Sequence, residues 1–268
     1  MLIAQISDLH VRGDHTPANT HVPTNALLEA CVRHLNALDP RPDVVLATGD
    51  LVDLGRDVDY TLLRQILAPL EMPIYLIPGN HDDREGLRRA FADMAHLSAE
   101  PDWIQYTVED YPVRLVALDT VDPGQPHGVL CDARLDWLAA RLAEQPDRPT
   151  VLFMHHPPFR TGIAHMDEIN LIAGADALGA IVARNKQVER VLCGHVHRPI
   201  QLRWHGTLAS VAPSPAHQVM LDLRREGPSV FKLEPPACQL HLWRADQGIV
   251  SHTSVIGDYP GPFPFHGG

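Results

Sequence analysis

Short runs of apolar residues alternate with segments of helical periodicity through the first two hundred residues of the chain. The runs are rich in Val, Ile and Leu and lack the regular alternation of a half-exposed strand. They occupy residues 2–7, 43–48, 74–78, 114–120, 150–154 and 189–193. Strands of this kind, separated by helices, are typical of a sheet that is covered on both faces. The pattern therefore predicts an α/β fold.

The segments between these runs carry apolar residues three and four positions apart, which is the spacing of one helix face. Three such stripes are Leu27-Cys31-Leu35-Leu38, Leu62-Ile66-Leu70 and Leu135-Leu138-Leu142. Each stripe predicts an amphipathic helix whose apolar face covers the sheet.

Helical periodicity disappears after about residue 200. Residues 207–221 and 238–256 have strand-like patterns, and the second of these segments is broken by a turn at Asp246-Gln247-Gly248. We interpret this part of the chain as a second sheet packed onto the first, within one domain that spans residues 1–256. Residues 257–268 form a Pro/Gly-rich tail that we expect to be extended. No internal repeat is evident.

Composition and charge exclude several classes of partner. The net charge is −11, no segment gathers Lys and Arg, and aromatic residues make up only 6%. A nucleic-acid polymer is therefore not expected to bind, because it requires a basic and often aromatic surface. No run of about 18 uncharged apolar residues predicts a membrane span, and the N-terminus lacks the pattern of a secretory signal. We expect a cytoplasmic protein.

The four cysteines are scattered along the chain. Cys31, Cys131, Cys193 and Cys238 form no C-x-x-C pair. They are interpreted as buried or incidental thiols in a reducing compartment, and neither a disulfide framework nor a zinc framework is predicted.

Histidine is unusually frequent, with 17 residues in 268, and several of these histidines follow predicted strands. Potential metal ligands stand just beyond the carboxyl ends of five strands: Asp8 and His10, Asp50, Asn80 and His81, His155 and His156, and His195 and His197. Each pair alone has an ordinary explanation; Asn80, for example, could cap a helix. Five coincidences at one sheet edge, where α/β sheets keep their sites, favour a metal centre.

The residue types indicate which metals the centre would take. Imidazoles with two carboxylates and one amide oxygen suit Fe, Mn, Co or Zn. Seven side chains are too many for one tetrahedral zinc and fit two adjacent ions, with Asp50 as the natural bridge. Two divalent ions, the carboxylates of Asp8 and Asp50, and one hydroxide sum to +1. That charge matches the single negative charge of a phosphodiester.

These segments, in this order, resemble the calcineurin-like metallophosphoesterases. The blocks of that family are D-x-H, G-D, G-N-H-[DE], a single His and G-H-x-H. The corresponding residues here are Asp8-Leu9-His10, Gly49-Asp50, Gly79-Asn80-His81-Asp82, His155 and Gly194-His195-Val196-His197. Residues 77–83, 153–158 and 216–219 look most similar to the class III cyclic nucleotide phosphodiesterase and bacterial glycerophosphodiesterase branch.

The resemblance implies a four-layer αββα sandwich, with two packed mixed sheets flanked by helices, and a two-metal site. It assigns Asp8, His10, Asp50 and His197 to one ion, and Asp50, Asn80, His155 and His195 to the other. His156 is left with a packing or supporting role.

The resemblance also implies which residues act on the substrate. His81 would hydrogen-bond the phosphoryl group or leaving oxygen, oriented by a carboxylate for which Asp53 is the candidate. Asn80 and His217 would contact the substrate as well. Position alone adds Arg12, whose loop, residues 12–23, could wall the pocket.

The expected activity is hydrolysis of small phosphodiesters, 3′,5′-cyclic nucleotides and/or glycerophosphodiesters, by a hydroxide held on two divalent or trivalent ions. Protein phosphatases carry a phosphate-clamping arginine after the residue that matches Asp53, and here Leu54 stands in its place. That activity is therefore disfavoured. The number of chains per assembly is open, with a homo-oligomer as one outcome.

Two other readings of the sequence remain. The same site could serve phosphomonoesters or a nucleotide-lipid pyrophosphate; an exposed apolar lid would favour the lipid substrate, and the sequence gives no sign of one. A non-catalytic scaffold that kept the fold is the other reading. Such a scaffold would be expected to lose ligands, whereas here the set is complete.

Overall fold

The computed structural model describes residues 1–265, so the last three residues of the predicted tail lie outside the described residues. The α-helices of the described part are α1 (Thr24–Ala37), α2 (Asp57–Leu67), α3 (Arg84–Ala90), α4 (Asp132–Glu144), α5 (Ala164–Asp167) and α6 (Ala175–Arg184). The strands are β1 (Leu2–Ile6), β2 (Val44–Thr48), β3 (Ile74–Ile77), β4 (Tyr106–Val108), β5 (Arg114–Leu118), β6 (Gly128–Val129), β7 (Thr150–Met154), β8 (Leu171–Ala173), β9 (Val188–Cys193), β10 (Ile200–Trp204), β11 (Thr207–Val211), β12 (Gln218–Val219), β13 (Phe231–Lys232), β14 (Ala237–Arg244) and β15 (Gly248–Val255).

Two large mixed sheets form the centre of the molecule. The first has five strands in the order β15-β14-β1-β2-β3, and the second has six in the order β10-β11-β9-β7-β5-β4. Strands β1, β2 and β3 are parallel, and so are β5, β7, β9 and β11. Two short pairs, β12-β13 and β6-β8, lie outside these sheets. The α/β class predicted from the sequence is confirmed.

The layers follow from which face of each strand is buried. In β7, Val151 and Phe153 belong to the core that also contains β1 and β2. The alternate residues Leu152 and Met154 belong to a second core with the apolar faces of α4 and α6. Because successive strand residues point to opposite faces, β7 is covered on one side by the first sheet and on the other by helices. The αββα sandwich implied by the resemblance is thereby confirmed.

The predicted helical stripes correspond to α1, α2 and α4, with small shifts. Leu135, Leu138 and Leu142 are all buried, as predicted. In α1 and α2 the predicted stripes are partly right: Cys31, Leu35 and Ile66 are buried, but Leu28 and Leu63 are buried in place of Leu27 and Leu62. A stripe three or four residues wide does not fix which edge of it faces the core.

The structure corrects the expectation that residues after about 200 build the second sheet. Strands β10 and β11 extend the six-stranded sheet beyond β9, whereas β14 and β15 pair with β1 in the five-stranded sheet. The ligand-bearing strands are divided as well: β1, β2 and β3 lie in one sheet, and β7 and β9 in the other. Strand-like patterning reveals that a segment pairs but not its partner. The domain limits, residues 1–256, stay a prediction.

Within residues 1–265, no helix combines the length and the apolar character needed to cross a membrane. Cys31, Cys193 and Cys238 are buried and Cys131 is exposed, and all four are free thiols.

Candidate metal centre

The loops that follow the ligand-bearing strands have an unusual backbone conformation. Five of the seven predicted metal ligands have positive φ angles: Asp8 (59°), His10 (48°), Asp50 (49°), His195 (73°) and His197 (55°). A positive φ is uncommon in residues other than glycine and costs on the order of 1–3 kcal/mol when it is strained. Such residues cluster at functional sites, so the backbone itself marks the strand ends as a site.

The first group of ligands is compact and buried. The His10 Nε2 atom lies 3.3 Å from the His197 Nε2 atom and 3.8 Å from an Asp50 carboxylate oxygen, Oδ2. The His197 Nε2 atom lies 3.5 Å from Asp8 Oδ1. One ligand atom from each of these four residues lies within 4.8 Å of all the others, close enough to surround one ion. The structure thus brings together the set predicted for the first metal.

The second group lies on the other side of Asp50. The Asp50 Oδ1 atom is 3.4 Å from His155 Nε2, which is in turn 3.1 Å from Asn80 Oδ1. The imidazole rings of His155 and His195 are 5.1 Å apart between centroids. The two oxygens of one carboxylate therefore face different histidine groups, which is the geometry that a bridging ligand requires.

Three of the four ligand histidines are held in the tautomer that metal binding needs. The Nδ1 atom of His155 donates to the Thr48 carbonyl at 2.8 Å, and that of His197 donates to the His217 carbonyl at 2.9 Å. The Nδ1 atom of His10 donates to the Asp53 carboxylate at 3.2 Å. A neutral imidazole that donates through Nδ1 keeps its lone pair on Nε2, and here each Nε2 atom faces the centre.

Burial and the neighbouring carboxylates act in opposite directions on the pKa values of these imidazoles. Burial lowers the pKa of His195 to about 3, with help from the nearby His155, and it also holds the pKa of His197 well below its usual value. Burial acts the same way on His155, but the carboxylates of Asp50 and Asp8 outweigh it and raise the pKa of His155 to about 9. The carboxylates of Asp53 and Asp50 likewise outweigh burial at His10 and raise its pKa. A cation at the centre would therefore compete with protons for the Nε2 atoms of His10 and His155.

The unpaired polar atoms of the site fit a metal. Among residues 1–265, both ring nitrogens of His195 and the Oδ2 atom of Asp8 are buried without a hydrogen-bond partner. A buried polar atom left unpaired costs on the order of 1–3 kcal/mol. An ion in the second group could take one of the two His195 nitrogens, and an ion in the first group would lie beside the Asp8 carboxylate. Together with the nitrogen and oxygen donors, these atoms match the Fe, Mn, Co or Zn expected from the sequence. Which of these metals is bound stays a prediction.

Asp82 supports the loops that carry Asp50 and Asn80, a role that the sequence did not reveal. Its carboxylate accepts backbone N–H bonds from Leu51 at 3.0 Å and Gly79 at 2.8 Å. A side chain on Gly79 would collide with the backbone and carboxylate of Asp50, so only glycine allows the two loops to approach. The signal available was the acidic residue that closes the G-N-H-D block.

An open cavity of about 480 Å³ lies directly above the ligand groups. Its floor includes His10, Asp50, Asn80 and His197. Much of its wall comes from apolar residues elsewhere in the chain: Met166 and Ile169 in and after α5, Val219 in β12, Phe231 in β13, and Val230 just before β13. The sequence indicated the floor but none of these wall residues, because nothing local connects them to the strand ends.

The residues predicted to act on the substrate are partly rearranged. His81 lines the cavity, and its Nδ1 atom donates to the backbone carbonyl of Asp53 at 2.8 Å. The Asp53 carboxylate is 3.9 Å from that ring and instead accepts from His10. The structure therefore corrects the orientation scheme: Asp53 holds His81 through its backbone carbonyl and His10 through its side-chain carboxylate.

Arg12 does not line the cavity. Its guanidinium donates to Asp53 at 2.9 Å and to Asp14, so the geometry gives no support to the predicted substrate contact. Arg12 instead fixes the carboxylate that orients His10. Another member of its loop, Asn19, lines the cavity.

His217 lies in the cavity wall and His156 lies behind the second ligand group, and their roles stay predictions. His217 lines the cavity with an unpaired, buried Nδ1 atom, and burial and His10 lower its pKa to about 3. His156 is buried behind the second group, 2.8 Å from the Thr120 hydroxyl and 3.3 Å from the Pro126 carbonyl. Both of its ring nitrogens are thus engaged by neighbours outside the centre, which fits a supporting role.

An exposed apolar segment lies beside the cavity, although none was expected from the sequence. Leu221 and Leu223 are 57% and 67% exposed, and Leu233 is 60% exposed. They lie in and after the loop between Val219 and Val230, both of which line the cavity. The charged residues Asp222, Arg224 and Arg225 interrupt the apolar run, so the sequence pattern did not reveal this exposed segment.

Two stacked mixed sheets whose strand ends carry two histidine–aspartate groups around a shared carboxylate are an arrangement suited to a pair of metal ions. The chain belongs to the calcineurin-like phosphoesterase family, whose profile matches residues 1–199.

Similar proteins carry related names. A protein from Arcobacter nitrofigilis named "Probable glycerophosphodiester phosphodiesterase GpdQ" is 40% identical over 99% of this chain and 97% of its own length. A "Glycerophosphodiester phosphodiesterase GpdQ" from Enterobacter lignolyticus is 34% identical over 98% and 94%. A 3′,5′-cyclic adenosine monophosphate phosphodiesterase from Escherichia coli is 32% identical over 79% and 75%.

A solved structure shares the fold. A dimetal phosphatase from Danio rerio matches with a TM-score of 0.65, covering 96% of this chain and 99% of its own, at 15% sequence identity. At that identity the match supports the architecture alone.

Proposed function

We propose that this protein is a dinuclear-metal phosphodiesterase that hydrolyses small phosphodiesters, namely 3′,5′-cyclic nucleotides and/or glycerophosphodiesters. The observation that carries the proposal is the position of Asp50, whose two carboxylate oxygens face His10 at 3.8 Å and His155 at 3.4 Å. One residue thereby sets the spacing of two ligand groups beneath an open cavity. The names of the similar proteins favour a diester substrate.

The residues of the chain have distinct parts in this scheme. Asp8, His10, Asp50 and His197 would hold one ion, and Asp50, Asn80, His155 and His195 the other. When bound, such a pair supplies Lewis acidity and lowers the pKa of water toward about 7. The NH₂ group of Asn80 remains available to donate to a phosphoryl oxygen.

His81 is the candidate to protonate or hydrogen-bond the leaving oxygen. Its Nδ1 atom is committed to the Asp53 carbonyl, so only Nε2 can meet the substrate. Nε2 donates when the ring is protonated and accepts when it is neutral. The proton that reaches the leaving group would therefore be carried on Nε2 of an imidazolium, fixed in direction by the Asp53 backbone.

The charge of the cavity favours a diester over a monoester. Among the described residues, no lysine or arginine lines it, and Leu54 stands where protein phosphatases have an arginine. A monoester dianion carries one more negative charge than a diester, and sites that bind it commonly add a guanidinium. The loaded centre, at about +1 by formal count, would leave that second charge uncompensated.

The test compares bis(p-nitrophenyl) phosphate with p-nitrophenyl phosphate, after reconstitution with Mn²⁺ or Co²⁺ at one pH near neutral. Glycerophosphoethanolamine and 3′,5′-cyclic AMP complete the panel. We expect two ions per chain and a kcat/KM for the aryl diester at least about tenfold above that for the monoester, since one unpaired charge costs more than about 1.4 kcal/mol.

Two results would contradict the proposal. Equal efficiency on both aryl esters would require a positive group that the cavity lacks. A chain that binds no metal would favour the scaffold reading. His81→Ala is the internal control, because it should lower turnover while leaving the metal content unchanged.

A lipid-linked phosphoester is the second candidate, and the exposed leucines beside the cavity favour it. A glycerophosphodiester with a long alkyl substituent should then be hydrolysed more efficiently than glycerophosphoethanolamine. The double variant Leu221→Ser/Leu223→Ser should remove that advantage. Leu202→Ser, at a 41% exposed leucine of β10, is the matched control. No advantage for the alkyl substrate would dismiss this candidate.

A further inference from the structure

The buried amide of Gln5 lies behind the candidate metal centre. Gln5 is the one polar residue of strand β1 and is fully buried between the two sheets. Its Nε2 atom donates to the Thr48 hydroxyl at 3.0 Å and to the Cys193 carbonyl at 2.9 Å. Thr48 ends β2 in the first sheet, and Cys193 ends β9 in the second. The Gln5 amide therefore joins two strand ends that belong to different sheets.

Both strand ends lead into the centre within two residues. Asp50 follows Thr48 after one glycine, and His195 follows Cys193 after one glycine. The Thr48 carbonyl also accepts the Nδ1 bond that fixes His155. The position of Thr48 relative to Cys193 thus sets the separation of ligands that come from opposite sheets.

The orientation of the Gln5 amide is itself determined by a partner from the C-terminal hairpin. His241 on β14 is 1% exposed, and its Nε2 atom donates to Gln5 Oε1 at 3.1 Å. The Ser251 hydroxyl on β15 lies 2.7 Å from His241 Nδ1 and donates to it. Reversing the Gln5 amide would place its oxygen against the Cys193 carbonyl, so this chain of bonds allows one arrangement.

We propose that Gln5 is a positioning residue of the metal centre, held in place by His241, which sets the distance between the ligands of the two sheets. The inference rests on the proposed dinuclear function. Residues behind a metal site that orient its ligands typically change metal affinity 10–100-fold when they are replaced. His241 lies beyond residues 1–199, so it supports the site from outside the segment that defines the family.

The sequence offers a matched control for this proposal. Gln239 is the direct cross-strand partner of Gln5 and is 3% exposed. Its Nε2 atom donates only within the hairpin, to the Thr253 hydroxyl at 3.2 Å. Gln5→Met and Gln239→Met therefore remove the same group at similar burial, but only the first touches the strand ends of the centre.

The experiment titrates the metal-free wild type and both variants with Co²⁺, following its visible absorption, the stoichiometry and aryl diester kinetics. In Gln5→Met we expect affinity for one of the two ions to fall at least about tenfold, an altered Co²⁺ spectrum, and a lower kcat with little change in KM. Gln239→Met should match the wild type in Co²⁺ affinity, in the Co²⁺ spectrum and in kcat. Thermal unfolding of the metal-free proteins measures the structural cost of each change.

Equal Co²⁺ affinity and equal spectra in Gln5→Met and Gln239→Met would overturn the proposal, whatever their stabilities. If Gln5→Met does not fold, His241→Phe replaces it, since it keeps both bonds to the strand ends and removes only the brace on the Gln5 oxygen. It should weaken Co²⁺ binding in the same direction by a smaller factor, and wild-type affinity there would equally overturn the proposal. Failure of the proposed function is visible separately, as a wild type that binds fewer than two ions or leaves the diester intact.

Discussion

The parts of the chain before and after about residue 200 contribute differently to the site. The first part supplies every predicted metal ligand, and five of those seven residues hold a positive φ in tightly bonded loops. The second part supplies cavity wall: Val219, Val230 and Phe231 lie in or beside a two-stranded pair that belongs to neither large sheet. Rigid, strained backbone thus carries the candidate chemistry, while a small appended pair faces the substrate.

The division has a physical reason. A metal centre requires ligand atoms fixed within a few tenths of an ångström, and the ends of buried parallel strands are among the least mobile places in a fold. A substrate wall needs only shape and polarity, so short exposed segments suffice. We therefore expect substitutions in the first part to act on metal binding and turnover together. Those in the cavity wall of the second part should act on substrate affinity, and His241, which braces Gln5, is the exception that reaches the metal centre.

The largest effect is expected for Asp50→Ala. Both ligand groups meet at this carboxylate, so its loss should empty at least one metal position. Diester turnover should fall about a thousandfold or more, equivalent to about 4 kcal/mol of transition-state stabilisation. Metal analysis of the purified variant and steady-state kinetics check both points. Two retained ions per chain would show that Asp50 is not a bridging ligand. Metal binding would then depend less on the first part of the chain than the comparison predicts.

A smaller effect, of a different kind, is expected for Phe231→Ala. The Phe231 ring lines the cavity and packs edge-on against His217, with 5.1 Å between centroids. Replacing Phe231 removes a cavity wall and the support of the His217 ring, so substrate binding should weaken. A loss of about 1 kcal/mol of binding would raise KM roughly fivefold. The metal content and kcat should stay at wild-type values. A large fall in kcat would show that β13 takes part in the chemical step. That result would contradict the division between the two parts of the chain.

The smallest effect concerns acid stability and lies wholly in the second part. Burial, with Arg190 nearby, lowers the pKa of His241 to about 3. Below the ordinary value of about 6.5 the unfolded chain takes up this proton and the folded chain does not, so stability falls as the pH falls toward 3. His241→Gln should make the metal-free protein lose about 1 kcal/mol less between pH 6 and pH 5. Denaturant unfolding at both pH values measures the difference; identical losses would mean that the folded protein also protonates His241.

The sequence revealed most about what is local. Each ligand block, such as Asp8-Leu9-His10 or Gly79-Asn80-His81, is a strand end followed by polar residues, and both features lie within ten residues. Which sheet each strand joins was not accessible, because pairing such as Leu2 with Leu242 depends on contacts across the whole chain. The partners of Arg12 and Asp53 were missed for the same reason. The residue type of an aspartate or a histidine does not reveal that its φ is positive. The strained backbone at the strand ends is therefore visible only in the structure.

Strand β1 has a further consequence, for the order in which the molecule is completed. It lies between β2 and β14, and its register with β14 pairs residues about 240 positions apart. During synthesis, chains fold from the N-terminal end as they emerge. The strand that contains Gln5 and leads into Asp8 therefore keeps one hydrogen-bonding edge unpaired until nearly the whole chain has been made. A nascent or truncated chain that ends before β14 would contain every ligand block and yet expose the edge of a buried strand, the kind of surface that recruits a neighbouring polypeptide.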